Sequence, residues 1–207
     1  MDSKAISGGT APALETAAPG MAARAETSLL TLDLATWTGF AFWRPGMDRP
    51  RSGEIRLPKT GSDIGTFLWK LKAWLLPFMQ MERPGVVIYE APVLQMGKTT
   101  PETVIKLMCL AGFTEYLCKE AGVKTCLSVN NAQVRKHFTG RGNGPREIMK
   151  EGVVLACERM GWPVDGDNEA DALGILHYAA HCLKINVPWD SRACPGGMFN
   201  TLKGRAA

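Results

Sequence analysis

The sequence predicts an α/β fold in which a mixed β-sheet is flanked by helices. Three short apolar runs joined by turn residues open the folded part of the chain, and helical segments then alternate with further strands. Strands joined by tight turns pair in antiparallel fashion, whereas strands separated by a helix pair in parallel. The order β-β-β-α-β-α-β-α-α therefore indicates a three-stranded antiparallel meander extended by parallel strands.

The meander is formed by the first three predicted strands, at residues 27–34, 39–43 and 53–57. The first strand contains Leu29-Leu30-Thr31-Leu32, and an apolar run of this kind is typical of a buried strand. Pro45-Gly46 and Arg51-Ser52-Gly53 provide turn residues between the second and third strands. These connections are short enough to keep consecutive strands adjacent in the sheet.

Apolar residues recur at helical spacing in four later segments. The predicted helices cover residues 64–78, 103–120, 145–160 and 169–183. Pro145 suits the first turn of its helix, where a backbone N–H has no partner within the helix. Two further strands are predicted at residues 85–89 and 123–129. The first of them reads Gly-Val-Val-Ile-Tyr, which is typical of a central strand.

The composition is that of a globular protein. Of 207 residues, 45% are hydrophobic and 21% are charged, which excludes a wholly disordered chain, a coiled coil and a collagen-like fibre. No stretch approaches the roughly 18 apolar residues of a membrane span. The 24 Lys and Arg against 20 Asp and Glu leave a net charge of +4. This mild excess permits a nucleic-acid partner without requiring one.

One folded domain is expected at residues 27–184. Residues 1–26 are rich in Ala, Gly and Pro, and we interpret them as a disordered N-terminal extension because they contain few large apolar groups. Residues 185–207 carry Pro188, Pro195 and Gly196-Gly197, which favours a loose C-terminal tail. Most of the six cysteines lie in apolar periodic segments and none forms a C-x-x-C pair, which favours reduced thiols and a cytoplasmic location.

Three carboxylates interrupt or end apolar runs. Asp33 follows Leu-Leu-Thr-Leu, Glu90 ends Val-Val-Ile-Tyr-Glu, and Asp171 lies in Ala-Asp-Ala-Leu-Gly-Ile-Leu. An isolated ionised carboxylate is costly to bury, so each one needs a compensating partner. Any one of them could pair with Arg or Lys or cap a helix. Three together favour convergence on a divalent cation such as Mg²⁺ or Mn²⁺, provided that the first and fourth strands are neighbours.

The start of the last predicted helix carries further polar groups. Asn168 and Asp167 lie three and four residues before Asp171 and share its face of the helix, whereas Glu169 points away. Polar and acidic side chains at a helix N-terminus often act as caps. Asn168 and Asp167 are therefore either helix caps or additional oxygen ligands.

These segments together resemble the RuvC-type Holliday junction resolvases of phages and bacteria, within the ribonuclease H-like superfamily. The resemblance covers residues 27–184. Its motifs are LDLATWTGFAF around Asp33, IYEAP around Glu90, VRKHFTGRGNGPR at 134–146 and DNEADALGIL at 167–176. It implies a ribonuclease H-like mixed sheet and a location in the cytoplasm of a bacterial or phage-infected cell.

The resemblance implies a metal-dependent, structure-selective crossover junction endodeoxyribonuclease that cuts branched DNA such as Holliday junctions by two-metal hydrolysis. Mg²⁺ is the implied cofactor, with Mn²⁺ as a substitute. Asp33 would bridge both ions, Glu90 would hold the ion nearer the leaving group, and Asp171 the ion that activates water. The implied catalytic residues are Asp33, Glu90, Asp171 and Asn168. The implied metal ligands are Asp33, Glu90, Asp171 and Asp167, because the family has Asp where this chain has Asn168.

A DNA-binding surface is also implied. The family carries two lysines eleven residues apart around a Gly-x-Gly turn, and Arg135 and Arg146 occupy those positions here. Arginine keeps the positive charge and binds phosphate through two N–H groups. The implied DNA-binding residues are Arg135, Lys136, Arg141, Arg146 and Lys98. The implied partners are branched DNA and a second copy of the chain packed on the helix at 103–120, with no membrane.

Some features leave two interpretations open. Apolar residues of the loop at 91–96 either insert between unstacked bases or pack in the core. His177 and His181 are four residues apart, which permits a zinc site, although helix packing is favoured because no third ligand follows from spacing. Lys106 and His137 are expected with the other basic residues on a charged surface.

Two other functions compete with the nuclease. The segment Asp33-Leu34-Ala35-Thr36-Trp37-Thr38-Gly39 echoes the first hairpin of actin-like phosphotransferases, although the chain is short for two such lobes. Asn168, in place of an acidic residue, suggests instead a junction-binding protein with weak or no cleavage. Cleavage assays on branched DNA and assays of nucleotide hydrolysis distinguish these possibilities.

Overall fold

The computed structural model of the chain describes residues 27–59, 63–92 and 100–192. The strands are β1 Leu29–Asp33, β2 Trp37–Trp43, β3 Arg51–Arg56, β4 Val86–Glu90 and β5 Thr125–Val129. The helices are α1 Ile64–Glu82, α2 Pro101–Glu120, α3 Asn131–Thr139, α4 Arg146–Arg159 and α5 Asp167–Cys182. The predicted extension at 1–26 lies outside the described residues.

The five strands form one sheet in the order β3-β2-β1-β4-β5. β1 pairs antiparallel with β2 and β2 pairs antiparallel with β3, whereas β1 pairs parallel with β4 and β4 parallel with β5. This arrangement confirms the predicted mixed sheet of a meander extended by parallel strands. Because β1 and β4 are parallel neighbours, their carboxyl ends meet at one edge of the sheet.

Helices cover both faces of the sheet. Side chains alternate along a strand, so Leu30 and Leu32 face the cluster that contains Phe67 of α1 and Leu110 of α2. Leu29 lies on the opposite face, in the cluster that contains residues of α3, α4 and α5. None of the helices in the described ranges combines the length and hydrophobicity needed to cross a bilayer.

The sequence did not predict α3. Asn130 caps its N-terminus by accepting a hydrogen bond from the Ala132 N–H at 2.9 Å, and Gly140 ends it in the left-handed region at φ 81°. The helix has nine residues, and its large apolar side chains are Val134 and Phe138. Because this segment is short and polar, it lacks the long apolar stripe from which a helix is predicted. Its position matters because it carries Arg135.

The loose tail expected from residue 185 does not begin there. Ile185 is buried, and the Trp189 ring makes edge-on contacts with Trp43 and Trp162, at centroid distances of 5.7 and 5.1 Å. Residues 185–192 are therefore part of the packed structure. The contacts of the Trp189 indole with the core outweigh the loop-forming tendency of Pro188. Residues 193–207 of the expected tail lie outside the described ranges.

Two basic residues expected on the surface are buried instead. His137 Nε2 lies 3.1 Å from both His177 Nδ1 and the Ser191 carbonyl oxygen, and His177 Nε2 lies 3.0 Å from the Asp190 carbonyl oxygen. Lys106 is 6% exposed, with its Nζ 4.5 Å from the centre of the Phe67 ring. The His137 ring also packs against the rings of His177 and His181, at centroid distances of 5.0 and 4.7 Å.

We expect acid to destabilise the protein through His137 and His177. Burial lowers the pKa of both imidazoles to about 4, whereas an unfolded histidine titrates near 6.5. Between these values the unfolded chain binds more protons, so the free energy of unfolding falls as the pH is lowered from about 6.5 to about 4. The loss is at most roughly 3 kcal/mol per histidine. Urea unfolding at a series of pH values measures it.

The matched variants isolate this effect from the carboxylates, which titrate in the same range. A double variant with His137→Phe and His177→Phe should show a smaller pH slope over this range than the wild type. His181→Phe, at an exposed position of the same helix, removes only a neighbour that lowers the pKa of both imidazoles and should change the slope less than the double variant does. An unchanged slope in the double variant would show that these two side chains do not govern acid sensitivity.

Candidate active site

Asp33 and Glu90 meet at the edge of the sheet where β1 and β4 end. Each is the last residue of its strand, and the parallel register places Leu32 opposite Tyr89 immediately before them. Strand alternation directs both side chains to the face that α5 covers. The two carboxyl groups are close enough for each to influence the pKa of the other. The first and fourth strands are thus neighbours, as the convergence of these carboxylates on one divalent cation requires.

Asp171 joins them from α5. The Thr31 hydroxyl donates a hydrogen bond to the Ala172 carbonyl oxygen at 2.8 Å, which anchors α5 on β1. Gly39, which pairs with Asp33, permits this close packing, because a Cβ there would lie 1.9 Å from the Asn168 carbonyl oxygen. A side chain at residue 39 would push the start of α5 off the sheet and move Asp171 away.

Asp33, Glu90 and Asp171 form an acidic cluster in which Asp171 is buried and Asp33 and Glu90 are partly buried. Burial raises the pKa of Asp33 well above the ordinary carboxyl range, and the negative charges of Glu90 and Asp171 raise it further. Burial also raises the pKa of Glu90, although a hydrogen bond from the Asn131 side-chain amide, at 2.7 Å, opposes that rise. Burial likewise raises the pKa of Asp171. The cluster therefore holds more negative charge than its surroundings neutralise.

Arg135 supplies the nearest positive charge. Its terminal nitrogen lies 2.9 Å from Asp171 Oδ2, and its Nε lies 3.4 Å from Oδ1. The guanidinium lowers the pKa of Asp171 and, through space, those of Asp33 and Glu90. We expected Arg135 on a DNA-binding surface, but the structure places its guanidinium against the acidic cluster.

Asn168 and Asp167, the two alternatives for a further ligand, have partners outside the acidic cluster. The Asn168 side-chain amide donates to Glu54 Oε1 at 3.3 Å, and Asp167 forms an ion pair with Lys150 of α4. Glu169 points away, as expected, and accepts a hydrogen bond from the Ser52 hydroxyl. The structure thus unites Asp33, Glu90 and Asp171 and leaves Asn168 and Asp167 beside them.

Glu54 is a residue that sequence reasoning missed. Its Oε1 accepts hydrogen bonds from the backbone N–H groups of Asn168 and Glu169, at 3.1 and 3.3 Å, and so caps α5 from β3. Gly166, which precedes α5, has no side chain to cap it. An uncapped helix start was a signal in the sequence, but the sequence could not show which distant carboxylate would serve.

The other predicted DNA-binding residues lie on α3, on the loop after it and at the start of α4. Lys136, Arg141 and Arg146 are exposed, and the Arg141 Nε donates a hydrogen bond to the Asn143 carbonyl oxygen at 2.8 Å. Gly142 lets this loop approach α3, because a Cβ there would lie 2.6 Å from the Ala132 carbonyl oxygen. Lys98 lies outside the described residues.

The donor chemistry of the acidic cluster fits a divalent cation. Carboxylate oxygens are the ligands that Mg²⁺ and Mn²⁺ prefer, and a bound cation would offset the desolvation and the mutual repulsion that raise the pKa values of these carboxyls. As the side chains stand, no three of the described acidic residues are placed to share an ion, and Asp171 is turned towards Arg135. Asp33, Glu90 and Asp171 would hold the ion once Asp171 exchanges the guanidinium for it.

Comparison with solved structures identifies the fold. Thermus thermophilus RuvC matches with a TM-score of 0.53 and 18% identity, covering 78% of this chain and 99% of that one. T. thermophilus RuvC in complex with a Holliday junction substrate matches at 0.57 and 19% identity, covering 76% and 96%. The yeast mitochondrial Holliday junction resolvase Ydc2 matches at 0.48 and 14%, covering 75% and 83%. No protein-family model and no curated protein matches the chain.

The structural neighbours confirm, at the level of fold, the resemblance inferred from the sequence motifs. The chain has the ribonuclease H-like fold of RuvC, with the meander at one side of the sheet and the parallel strands at the other. At 18–19% identity the shared feature is the arrangement of elements. Similarity at this level identifies a fold and does not by itself identify a function.

Proposed function

We propose that this protein is a metal-dependent, structure-selective endodeoxyribonuclease that cleaves phosphodiester bonds in branched DNA such as Holliday junctions. The observation that carries the proposal is the convergence of Asp33, Glu90 and Asp171, from three separate segments, into one acidic cluster that is largely shielded from solvent. A fold without this chemistry would not need three carboxylates at the sheet edge. The fold shared with RuvC, which has been solved bound to a Holliday junction substrate, supports the choice of DNA.

The residues of the chain divide the work as follows. When bound, divalent cations neutralise the charge that develops on the phosphate and lower the pKa of a coordinated water. Asp33, whose pKa both Glu90 and Asp171 raise, would be the ligand shared between the ions, and the Asn131 amide orients Glu90. Arg135, once released by Asp171, has the planar donor fork that matches a phosphate group. Lys136, Arg141 and Arg146 extend the positive surface from α3 through the following loop to the start of α4.

A panel of labelled DNA substrates tests the proposal. Four-way junctions, flaps, replication forks, linear duplex and RNA–DNA hybrid are incubated with Mg²⁺, Mn²⁺ or EDTA. We expect nicks at the branch point of branched DNA with either ion, and none in linear duplex or in EDTA. Tight junction binding without nicks in both ions would contradict a nuclease and favour a binding protein. Nucleotide hydrolysis without DNA cleavage would favour the phosphotransferase.

The exposed face of α2 supports a homodimer. Ile105, Met108 and Tyr116 are each about half exposed, and Gly112 has open space around it on the same side of the helix. Lys106, Leu110 and Leu117 lie on the buried side. An apolar stripe flanking a glycine suits close packing of two copies about a two-fold axis. Two acidic clusters in one dimer would produce paired cuts.

We therefore expect Met108→Glu to convert a dimer into a monomer, because it places a charge in the centre of the apolar stripe. Sedimentation equilibrium measures the change in mass. Ile148→Glu, at a partly exposed position of α4, is the matched control and should leave the mass unchanged. A wild-type monomer, or a dimer that survives Met108→Glu, would remove α2 as the interface.

A further inference from the structure

Trp37 and Arg56 form an exposed pair at the edge of the sheet where the acidic cluster lies. Trp37 is the first residue of β2 and Arg56 the last of β3, and the two are paired across these strands. The Arg56 guanidinium lies over the indole, 5.1 Å from the ring centre. Trp37 is nevertheless 46% exposed. We call these two residues the edge pair.

The register places the edge pair close to the acidic cluster. Asp33 pairs with Gly39, so Trp37 extends two residues beyond Asp33 on the neighbouring strand. Strand geometry then separates the two Cα atoms by about 8 Å, since each residue advances about 3.4 Å and strands lie about 4.8 Å apart. Along a duplex strand this distance is about two nucleotide steps. A nucleotide one or two positions from a phosphate at Asp33 would therefore reach Trp37.

The edge pair also lies on the same face of the sheet as the acidic cluster. Gly39 faces the start of α5, and Trp37, two residues earlier on β2, shares that face by strand alternation. Arg56 shares its face with Glu54, which caps α5. The acidic cluster lies on this same face. Arg135 and α3 lie beyond β4, so the cluster stands between two groups of positive charge.

Other tryptophans of the chain have packing roles that Trp37 lacks. Trp43 contacts Trp189, and Trp74 contacts Phe40 and Phe78, all within the two core clusters. Arg56 has no carboxylate within ion-pair distance among residues 27–59, 63–92 and 100–192. Its charge and N–H groups therefore remain available for an anionic ligand.

We propose that the edge pair is a stacking site for an unpaired nucleobase of the DNA strand whose phosphate lies at the acidic cluster. The exposed part of the indole provides a stacking surface, and Arg56 contacts the adjacent phosphate. Aromatic stacking accepts any base, and it favours bases that are already unstacked, as at a branch point. The inference rests on the proposed function, because it takes branched DNA as the ligand.

Junction binding in EDTA tests the inference without cleavage. The probe is a fluorescein-labelled four-way junction, and its anisotropy gives the dissociation constant. Trp37→Leu should weaken binding by roughly 5- to 100-fold, and Trp37→Phe should restore most of the affinity. Trp69→Leu is the matched control, because Trp69 is 67% exposed but lies on α1, across the sheet. Arg56→Gln should lower the slope of log affinity against log salt by about one.

A modified junction separates stacking from general stability. A junction that lacks one base beside the branch point should bind the wild type more weakly than the intact junction, whereas Trp37→Leu should bind both junctions equally. Tryptophan fluorescence should be quenched by the junction in the wild type, and most of that quenching should vanish in the correctly folded Trp37→Phe.

Two outcomes would overturn the inference: equal affinity of wild type and Trp37→Leu for the intact junction, or an equal penalty for the missing base in both proteins. Both affinity comparisons are measured without divalent ions, so they are independent of cleavage. Failure of the proposed function appears instead as a wild type that leaves every branched substrate intact in Mg²⁺ and Mn²⁺. A wild type that does not bind the junction at all would overturn both.

Discussion

Asp33→Asn and Asp171→Asn should each abolish cleavage of branched DNA while leaving junction binding nearly unchanged. Each substitution keeps the size of the side chain and removes the negative charge that would hold a divalent ion. Metal ions contribute several kcal/mol of transition-state stabilisation, so we expect the cleavage rate to fall by about 10³-fold or more. Single-turnover cleavage and anisotropy titrations with the same junction measure the two effects.

The control is Asp48→Asn, which removes an exposed carboxylate in the turn at the opposite edge of the sheet. It should cleave at the wild-type rate. Asp33→Asn should also unfold at a higher urea concentration than the wild type in EDTA, because it removes a buried charge that its neighbours repel. It should no longer be stabilised by Mg²⁺. Undiminished cleavage by either cluster variant would exclude that residue from the active site.

Arg135→Met should make the stability of the protein depend on divalent cations. The substitution leaves Asp171 without its ion-pair partner and the acidic cluster without the guanidinium that it shares. Breaking a buried pair costs about 3–5 kcal/mol, and because Arg135 is partly exposed we expect a loss of roughly 2–3 kcal/mol in EDTA. Mg²⁺ should restore most of this loss, which urea unfolding with and without the ion measures.

The same variant should bind Mn²⁺ more tightly than the wild type, because the ion no longer competes with the guanidinium for Asp171. Electron paramagnetic resonance of free Mn²⁺ measures the affinity. Arg135→Lys keeps the positive charge and matches the lysine that RuvC-type resolvases carry. Its stability in EDTA should therefore lie between that of the wild type and that of Arg135→Met. Lys72→Met, which removes the partner of Glu120 on the opposite face of the sheet, is the control. Identical Mn²⁺ affinities of wild type and Arg135→Met would show that Arg135 does not compete for Asp171.

The structure gives a physical reason for Asn168. The Glu54 carboxylate lies 3.3 Å from the Asn168 amide nitrogen and caps α5 through two backbone N–H groups. Asp at residue 168 would place a second carboxylate against Glu54, and two like charges at that distance repel. An amide donates a hydrogen bond instead. Asn168, where the RuvC-type pattern has Asp, therefore occurs together with an acidic residue on β3, Glu54.

The amino-acid sequence was sufficient to predict the sheet and the three residues of the acidic cluster. Uninterrupted apolar runs specify buried strands, and the short turns between the first three make them antiparallel. A carboxylate inside such a run stands out in the amino-acid sequence, because the free-energy cost of burying it must be offset by a partner. The separation of Asp33, Glu90 and Asp171 into three such runs indicated one shared site before any geometry was known.

Only the tertiary structure decided which groups meet the charges of that site. Arg135 faces Asp171 because α3, too short and polar to have an apolar stripe, places it there. Glu54 caps α5 across the sheet, and His137 is buried against His177 by residues that the sequence suggested were loose. Hydrophobic periodicity is a local property of the chain. Ion pairs and caps between distant segments depend on distances that only packing sets.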